Sequence, residues 1–335
     1  MDTSGQLCES ELPLLQAALL GWYALHKRDL PWRQDHDAYR VWVSEIMLQQ
    51  TRVAAVLEHY RVFLDVFPTV VSLAEAAEEH VLALWSGLGY YRRARMLHKA
   101  AKFVAEELGG RIPTDVEGLR KLPGVGRYTA AAIASIAHNQ ATAVVDGNVE
   151  RVLCRLDGQA RDDGSAWQRA QQLLDTSHPG DWNQAMMELG ATVCTPQNPQ
   201  CLVCPVRQWC VAPGAETRKL QAVRKRVRVA RAFVEHRERV YLVRRHSGEA
   251  KMAGMWELPE LAADSSGQLE ARELCVVRHS ITDTDYEVRV LQLPLKALSA
   301  LEKQAGGWIE HDVLWTLPLT GLTRKILRKQ GLGGR

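Results

Sequence analysis

The segment LRKLPGVGRYTAAAIASIA, residues 119–137, places a glycine-containing turn between two stretches of helical character. Gly124 and Gly126 permit a tight turn, either through a positive φ or by leaving room for close backbone approach. A helix that begins near Gly126 would present free backbone N–H groups that can hold a phosphate, with Lys121 and Arg127 on either side. Such a turn grips a nucleic-acid backbone without reading its sequence. The alternative is an ordinary connection between two helices.

The helical character extends over residues 10 to about 212, where apolar residues recur at helical spacing, as in 53–64. The pattern changes after Pro213. Strand-like runs follow at 239–245, 273–281 and 286–295, and a last helical stretch, LTRKILRKQ, covers 322–330. We therefore predict a mainly α N-terminal domain and an α+β C-terminal domain of about 100 residues.

A basic segment, TRKLQAVRKRVRVARAF, lies between the two regions. It carries seven lysines and arginines between Arg218 and Arg231 and no acidic residue. Such a run is typical of a solvated linker. It could also form a strap across phosphates.

Composition limits the class of protein. The 335 residues are 46% hydrophobic and 24% charged, which is ordinary for one large or two average globular domains. The net charge of +3 does not by itself indicate a nucleic-acid partner, so any such site must come from local clustering. No apolar run approaches the ~20 residues of a membrane span, and the start, MDTSGQLCES, lacks the basic region of a signal peptide. We expect a cytoplasmic protein, with no membrane partner, whose thiols stay reduced.

Four cysteines fall within the segment CTPQNPQCLVCPVRQWC, residues 194–210, with the spacing C-x6-C-x2-C-x5-C. Three prolines keep the intervening chain in loops. Four thiolates can bind a tetrahedral zinc ion or a cubane iron–sulfur cluster. Structural zinc usually uses two CxxC pairs, and this segment has one, so the spacing favours iron–sulfur and leaves zinc open.

Two carboxylates are candidates for catalysis. Glu45, in VWVSEIMLQQT, has Val41, Trp42 and Leu48 as its helical neighbours, which is unusual for a glutamate. Burial there would raise its pKa and suit it to act as a general acid. Asp146 ends an apolar run in ATAVVDGNVERVL. It is either a helix N-cap or a carboxylate at the wall of a cleft.

Seven motifs in one order give a resemblance to a known family. These are LPWR, SEIMLQQT, LWSGLGYYRRAR, LPGVGRYTA, VVDGNV, NQAMMELG and the cysteine spacing. Together they resemble the MutY adenine DNA glycosylase family of the helix-hairpin-helix superfamily. The resemblance is dense over residues 28–212. It is looser beyond, where the chain resembles the Nudix-like recognition domain of that family.

The resemblance implies a domain plan. A helical glycosylase domain, 1–215, would combine a six-helix barrel module at about 28–138 with a cluster module formed by about 1–27 and 139–215. A basic linker, 216–231, would lead to a Nudix-like domain, 232–335. One [4Fe-4S] cluster would be held by Cys194, Cys201, Cys204 and Cys210, where it would pin a loop against DNA without redox chemistry.

The resemblance also implies a reaction on double-stranded DNA with an adenine mispair, by a monomer. Glu45 would protonate adenine N7, and Asp146 would stabilise the sugar oxocarbenium ion, as in glycosidases that use two carboxylates. Tyr128 and Asn148 are counted with the catalytic residues. The remaining implied contacts are Trp32, Arg33 and Gln184 in the adenine pocket, Gln50, Thr51, Leu88 and Tyr90 at the opposite base, and Gly124, Gly126, Lys121 and Arg127 on the DNA backbone.

Three other functions make different demands on the sequence. A pyrimidine glycosylase and lyase of the endonuclease III type needs a lysine for a Schiff base, where this chain has Tyr128. A non-catalytic damage sensor would need neither Glu45 nor Asp146. A nucleotide pyrophosphatase needs the Nudix box, whose spacing is absent from the glutamates of ELAADSSGQLEARELCV.

One stretch departs from the family pattern. The family's second domain has a Phe-Ser-His loop that probes the oxidised guanine, and RHSITDTDYEV stands in its place. Ile281, Thr282 and Asp283 would replace the three residues. We expect Thr282 to supply the hydroxyl and Asp283 to add an unfavourable charge near phosphates.

Overall fold

The computed structural model describes residues 8–215, 224–246, 248–249, 252–261, 270–301 and 305–333. The α-helices are α1 (Leu12–His26), α2 (Ala38–Leu48), α3 (Val53–Val66), α4 (Val70–Glu75), α5 (Glu78–Trp85), α6 (Arg92–Glu107), α7 (Val116–Arg120), α8 (Arg127–His138), α9 (Gly147–Asp157), α10 (Asp163–Leu173), α11 (Pro179–Thr192) and α12 (Gly321–Lys329). The strands are β1 (Lys225–Phe233), β2 (Glu235–His236), β3 (Arg239–Arg244), β4 (Trp256–Glu257), β5 (Glu260–Leu261), β6 (Arg272–Ile281), β7 (Thr284–Gln292) and β8 (Gly306–Glu310). No helix of these ranges is long and apolar enough to cross a membrane.

The chain divides into two compact units. The first comprises Met1–Ala74 and Lys99–Lys219, and the second comprises Glu75–His98 and Leu220–Arg335. The segment 75–98 therefore groups with the C-terminal part of the chain, although its motif lies inside the region for which the sequence predicts one helical domain.

A buried apolar cluster in the first unit joins α1 to α9, α10 and α11. Leu15 and Leu19 of α1 are buried among side chains such as Val152, Leu153 and Leu189. The apolar face of α1 is buried against helices more than a hundred residues later in the chain. Because α1 packs on both α9 and α11, this packing fixes the two helices relative to each other. Elsewhere in the unit, α2 packs against α3 and α8.

The glycine-containing turn connects α7 to α8. Asp115 caps α7 by accepting a hydrogen bond from the Gly118 N–H. Gly124 has φ +76°, a conformation that favours glycine. Gly126 is extended, with φ −87°, and a Cβ there would meet no atom within 4 Å. Of the two expected uses of these glycines, a positive φ is confirmed at Gly124, and Gly126 shows neither a positive φ nor a close approach.

The second unit contains two four-stranded sheets. In the first sheet the order is β5-β1-β7-β6, with β1 parallel to β7 and β6 antiparallel to β7. In the other, β3 pairs with β2, β4 and β8. The apolar face of α12, including Ile326 and Leu327, is buried against Val277, Val288 and Val290 of the first sheet.

The predicted change from helices to strands is confirmed, and the predicted strand runs correspond to β3, β6 and β7. The predicted linker, 216–231, is wrong in its second half. Residues 216–223 lie outside the described residues, and residues 225–231 belong to β1. Two arginines of the basic run form ion pairs with acids of β7, Arg224 with Asp285 and Arg228 with Glu287. Their charge is thus compensated within the sheet.

Candidate active site

A cleft of about 710 Å³ in the first unit brings together nine of the predicted site residues. They are Trp32, Arg33, Glu45, Gln50, Thr51, Tyr128, Asp146, Asn148 and Gln184. They come from five separate parts of the chain, and a cleft of this size can accommodate a small aromatic molecule. Leu88, Tyr90 and Thr282 belong to the second unit.

Glu45 lies on α2 and is 7% exposed, as its apolar neighbours predict. Burial raises its pKa from 4.5 to about 7. A hydrogen bond with Tyr128 and the charge of Arg33 oppose that rise, and the negative charge of Asp146 adds to it. Glu45 can therefore hold a proton near neutral pH, which is the property of a general acid.

Tyr128 occupies the first turn of α8, immediately after the glycine-containing turn. Its hydroxyl lies 3.4 Å from the Met187 Sδ, and it acts on Glu45 in the direction that lowers the pKa of that carboxyl. Burial and the neighbouring carboxylates raise the pKa of Tyr128 well above its usual range. The residue is thus a neutral hydroxyl next to the candidate acid.

Asp146 is both the N-cap of α9 and part of the cleft wall. The two positions that the sequence offered as alternatives for this side chain therefore both apply. Its Oδ1 accepts hydrogen bonds from the backbone N–H groups of Asn148 and Val149, both at 2.8 Å. The Asn148 side-chain amide donates to Asp146 Oδ2 at 2.9 Å. These bonds hold the carboxylate in one orientation, and its charge acts on Glu45.

Contacts between α9 and α11 hold Asn148 in place. A Cβ at Gly190 would lie only 2.7 Å from the Asn148 Cβ, so the two helices meet where glycine leaves no side chain. Arg151 donates to the Asn148 Oδ1 at 2.9 Å, to the Gly190 carbonyl at 2.7 Å and to the Cys194 carbonyl at 2.8 Å. The candidate catalytic loop and the cysteine segment therefore share a hydrogen-bonded arginine.

Glu188 is a cleft residue that the sequence analysis missed. Its buried carboxylate accepts two hydrogen bonds from the Arg28 side chain, both at 2.7 Å, and one from Arg33 at 2.8 Å. Burial alone would raise the pKa of Glu188, but the two arginines outweigh it and lower the pKa to about 2. Arg33, predicted to contact the substrate, is thus oriented by a fixed carboxylate.

The four cysteines of the 194–210 segment surround one small cavity with Arg155, Pro199 and Arg207. Buried Arg155 donates from Nη1 to the Cys194 Sγ at 3.3 Å and to the Thr195 carbonyl, and from Nη2 to the Pro196 carbonyl. Within the described ranges, no group of three or more His, Cys, Asp or Glu side chains is arranged to hold a single metal ion. The four thiols at this cavity and the neighbouring cation fit a group that binds several thiolates.

The predicted phosphate contacts lie at the glycine-containing turn. Lys121 is exposed and pairs with Glu117 at 3.7 Å, a weak and solvated contact. The Arg127 guanidinium lies 4.0 Å from the centroid of the Trp167 ring. This contact with the ring holds the guanidinium at the start of α8.

The predicted contacts with the opposite base differ in exposure. Gln50 and Tyr90 have φ of +55° and +47°, which non-glycine residues seldom adopt. Tyr90 is 46% exposed, whereas Leu88 is buried. Thr282 forms the exposed β6–β7 turn with Asp283, and its hydroxyl donates to the Ile281 carbonyl at 2.8 Å. The hydroxyl hydrogen is used in that bond, so in this conformation the Thr282 oxygen can only accept a further hydrogen bond.

Two segments of the chain match known families. Residues 43–174 match the HhH-GPD superfamily of base excision DNA repair proteins, and residues 194–210 match the iron–sulfur binding domain of endonuclease III. The Homo sapiens adenine DNA glycosylase is 54% identical over 218 residues, which are 61% of this chain and 40% of that protein. The Arabidopsis thaliana adenine DNA glycosylase is 38% identical over 413 residues, covering 97% of this chain and 65% of that protein. The chain thus spans less than half of the human relative's length.

Solved structures agree with the fold of the first unit. A thermostable thymine-DNA glycosylase matches with a TM-score of 0.57 and 27% identity, over 60% of this chain and 96% of that one. A non-covalent endonuclease III–DNA complex matches in fold with a TM-score of 0.53, over 62% of this chain and 96% of that one. The fold and the iron–sulfur segment define a helix-hairpin-helix protein of base excision DNA repair. Within that superfamily, the relatives above are adenine DNA glycosylases, which supports the resemblance of this chain to the MutY family.

Proposed function

We propose that this protein hydrolyses the N-glycosidic bond of adenine mispaired with 8-oxoguanine or guanine in double-stranded DNA. The observation that carries the proposal is the pair Glu45 and Asp146 in one cleft, with the pKa of Glu45 raised to about 7. Two carboxyl groups at one site, one of them able to hold a proton near neutral pH, are the arrangement by which glycosidases cleave such bonds. The curated relatives are named adenine DNA glycosylases.

The carboxylates would take separate parts of the reaction. Adenine must first leave the base stack and enter the cleft. Glu45 then donates its proton to N7 of adenine, so that the base departs neutral instead of as an anion. Asp146 stabilises the positive charge that develops on the sugar, either through its charge alone or by transient covalent capture. Water completes the hydrolysis.

The cleft supplies the groups that would recognise the adenine. Trp32 is buried with its ring edge-on to Tyr60, with centroids 5.3 Å apart, and so offers a fixed aromatic surface. Gln184 is buried on α11 and presents an amide that can both donate and accept. Glu188 keeps the guanidinium of Arg33 in place at the same wall.

The remaining DNA contacts would be divided between the two domains. In this proposal the glycosylase domain, 1–215, binds the backbone through Gly124, Gly126, Lys121 and Arg127, and the segments with Gln50, Thr51, Leu88 and Tyr90 meet the opposite base. Tyr90 could wedge into the helix. The domain at 232–335 would be a Nudix-like recognition domain, and the protein would act as a cytoplasmic monomer.

A set of matched duplexes tests the function. Adenine would be placed opposite 8-oxoguanine, guanine, cytosine or thymine, and released base would be measured separately from strand cleavage. We expect adenine release with 8-oxoguanine or guanine opposite, and strand cleavage only after alkali. No release from either duplex would refute the proposal.

The cysteine segment would hold a [4Fe-4S] cluster, and we expect about four irons per chain in protein purified without oxygen. The solution should be brown with broad visible absorption. Cys204→Ser should lower the iron content and the yield of folded protein, because the cavity loses one of its four thiolates. The matched control is Cys154→Ser, outside the segment, with normal iron. Zinc in near-stoichiometric amount would contradict the assignment.

Tyr128 predicts that the protein lacks Schiff-base lyase activity. A phenol cannot form an imine with the sugar, and Tyr128 occupies the position where the related lyases carry lysine. Borohydride should therefore trap little covalent enzyme–DNA adduct, at a level unchanged by Tyr128→Phe. Trapping as strong as that of an endonuclease III control would show that another lysine reaches the sugar.

We further propose that Thr282 contacts the Hoogsteen edge of 8-oxoguanine. The loss of a phenyl ring at Ile281 and the charge of Asp283 should make the preference for 8-oxoguanine over guanine survive but weaken relative to the family. Thr282→Ala should reduce the ratio of the two single-turnover rates about threefold or more, the effect of one hydrogen bond. Asp283→His should raise it. If neither changes the ratio, discrimination resides in the contacts of Gln50, Thr51 and Leu88.

A further inference from the structure

The loop that carries Tyr90 has an unusual backbone. Gly87, Gly89 and Tyr90 have φ of +117°, +70° and +47°. The two glycines adopt such values without strain, but a tyrosine does so at a cost and only where its surroundings hold it. Tyr90 is nevertheless half exposed, so contacts with the adjoining backbone contribute to holding it.

Part of that support comes from α6, the helix that follows the loop. Arg93 of α6 donates to the carbonyls of Leu88 and Gly89 at 3.2 and 3.3 Å. Its guanidinium also lies 5.5 Å from the ring centroids of Trp85 and Tyr90. These contacts keep the tip of the loop together.

The rest of the support comes from Leu319, which precedes α12, and from Arg324 of α12, 228 to 238 positions away in sequence. Arg324 donates from Nη1 to the Ser86 carbonyl at 2.7 Å. The Ser86 and Tyr91 hydroxyls, at the two ends of the loop, both donate to the Leu319 carbonyl, at 2.6 and 3.2 Å. Leu319, just before α12, therefore contacts both ends of the loop, and Arg324 of α12 contacts the Ser86 end.

The same helix is bonded to the strand that leads to Thr282. Lys325 donates to the Arg278 carbonyl at 2.8 Å, and Lys329 donates to the Val276 carbonyl at 3.1 Å. Arg278 precedes the β6–β7 turn by three residues. The helix α12 is therefore bonded both to the Tyr90 loop and to β6, the strand that leads to Thr282. These are the two exposed segments of the second unit that the proposed function assigns to the opposite base.

We propose that Arg324 is a positioning residue for opposite-base recognition, through which α12 sets Tyr90 relative to the turn at Thr282. Arg324 is stacked 4.9 Å from the Trp315 ring centroid, which fixes its side chain. Without it, the Tyr90 loop would relax from its strained backbone, and the wedge would lose its alignment. The inference rests on the proposed function, because it assigns Tyr90 a contact with DNA.

A double-mutant cycle separates this role from a general structural one. The probe is a duplex with 8-oxoguanine opposite a 2′-fluoro adenosine that resists cleavage. Arg324→Ala should weaken binding about tenfold in the wild-type background, the effect of losing one charged hydrogen bond. In a Tyr90→Ala background, the same change should cost less than about twofold, because the group that Arg324 positions is already gone.

Arg328→Ala is the matched control, since Arg328 lies over the same Trp315 ring at 5.4 Å from the next turn of α12. It should leave binding unchanged. Arg324→Lys keeps a cation and should recover part of the affinity, and it takes the place of alanine in the cycle if that variant does not fold. Equal losses in both backgrounds, or an equal loss in Arg328→Ala, would overturn the proposal. Adenine release by the wild type is measured alongside, so that failure of the proposed function is seen separately.

Discussion

Glu45→Gln will reduce single-turnover adenine release by about a thousandfold or more and leave duplex binding within about twofold. Glutamine has the same shape but no transferable proton, so adenine would have to depart as an anion. The measurement is base release under excess enzyme, together with binding to the uncleavable duplex. Glu58→Gln, on the exposed face of α3, is the control and should behave as wild type. A rate for Glu45→Gln near the wild-type rate would remove Glu45 from the mechanism.

The rate should also fall with rising pH. In the proposed reaction Glu45 acts when protonated, and burial raises its pKa to about 7. The rate should be constant at acidic pH and fall about tenfold per pH unit above 7, since each unit removes nine tenths of the remaining protonated form. A profile that is flat from pH 6 to 9 would contradict a proton donor with this pKa.

The same burial has an effect on stability. A folded pKa above the unfolded value means that protonation favours the folded state, so the advantage is complete below pH about 4.5 and lost as pH rises through 7. Above pH 7 the cost of the buried charge is about 3 kcal/mol. Glu45→Gln should therefore be more stable than wild type at pH 8 and differ little at pH 4.5, which denaturant unfolding at both values would measure.

Asp146→Asn should reduce adenine release by a factor of about a hundred to a thousand while the protein remains folded. The amide keeps an oxygen that can accept the N–H bonds of Asn148 and Val149, and asparagine is as good an N-cap as aspartate. What is lost is the negative charge that would face the developing oxocarbenium ion. Base release and thermal unfolding of the variant together separate the two functions of the side chain.

The chain offers a matched control for this substitution. Asp162 caps α10 by accepting from the Ser165 N–H at 2.7 Å, and it is not among the residues of the cleft. Asp162→Asn should change neither activity nor unfolding temperature. If Asp146→Asn releases adenine as fast as Asp162→Asn, the charge of Asp146 is not used in the reaction.

The sequence predicted those parts of the site that depend on local pattern. Helical spacing placed Glu45 among Val41, Trp42 and Leu48, and its burial is confirmed. Glu188 could not be found in this way, because its partners Arg28 and Arg33 lie 160 and 155 positions away. The position of a glutamate on a predicted helix does not indicate these ion pairs, because they form only when α11 packs next to the segment that carries Arg28 and Arg33.

The strand β1 was missed for a related reason. Its valines, Val227 and Val229, alternate with arginines, and the density of positive charge hid the period of two. The compensating acids, Asp285 and Glu287, are on a strand about 60 residues later. Sequence alone could therefore predict the α+β class of the region and three of its strands, but not which basic residues the sheet neutralises.

The grouping of residues 75–98 with the C-terminal part bears on how the chain can be shortened. A protein cut after residue 215 would keep the glycosylase motifs in one piece of polypeptide. It would also lose the Leu319 carbonyl, which accepts hydrogen bonds from the Ser86 and Tyr91 hydroxyls, and the Arg324 guanidinium, which donates to the Ser86 carbonyl. Buried hydroxyls would then face solvent at the base of an exposed loop, so proteolysis of a truncated protein should begin near Tyr90.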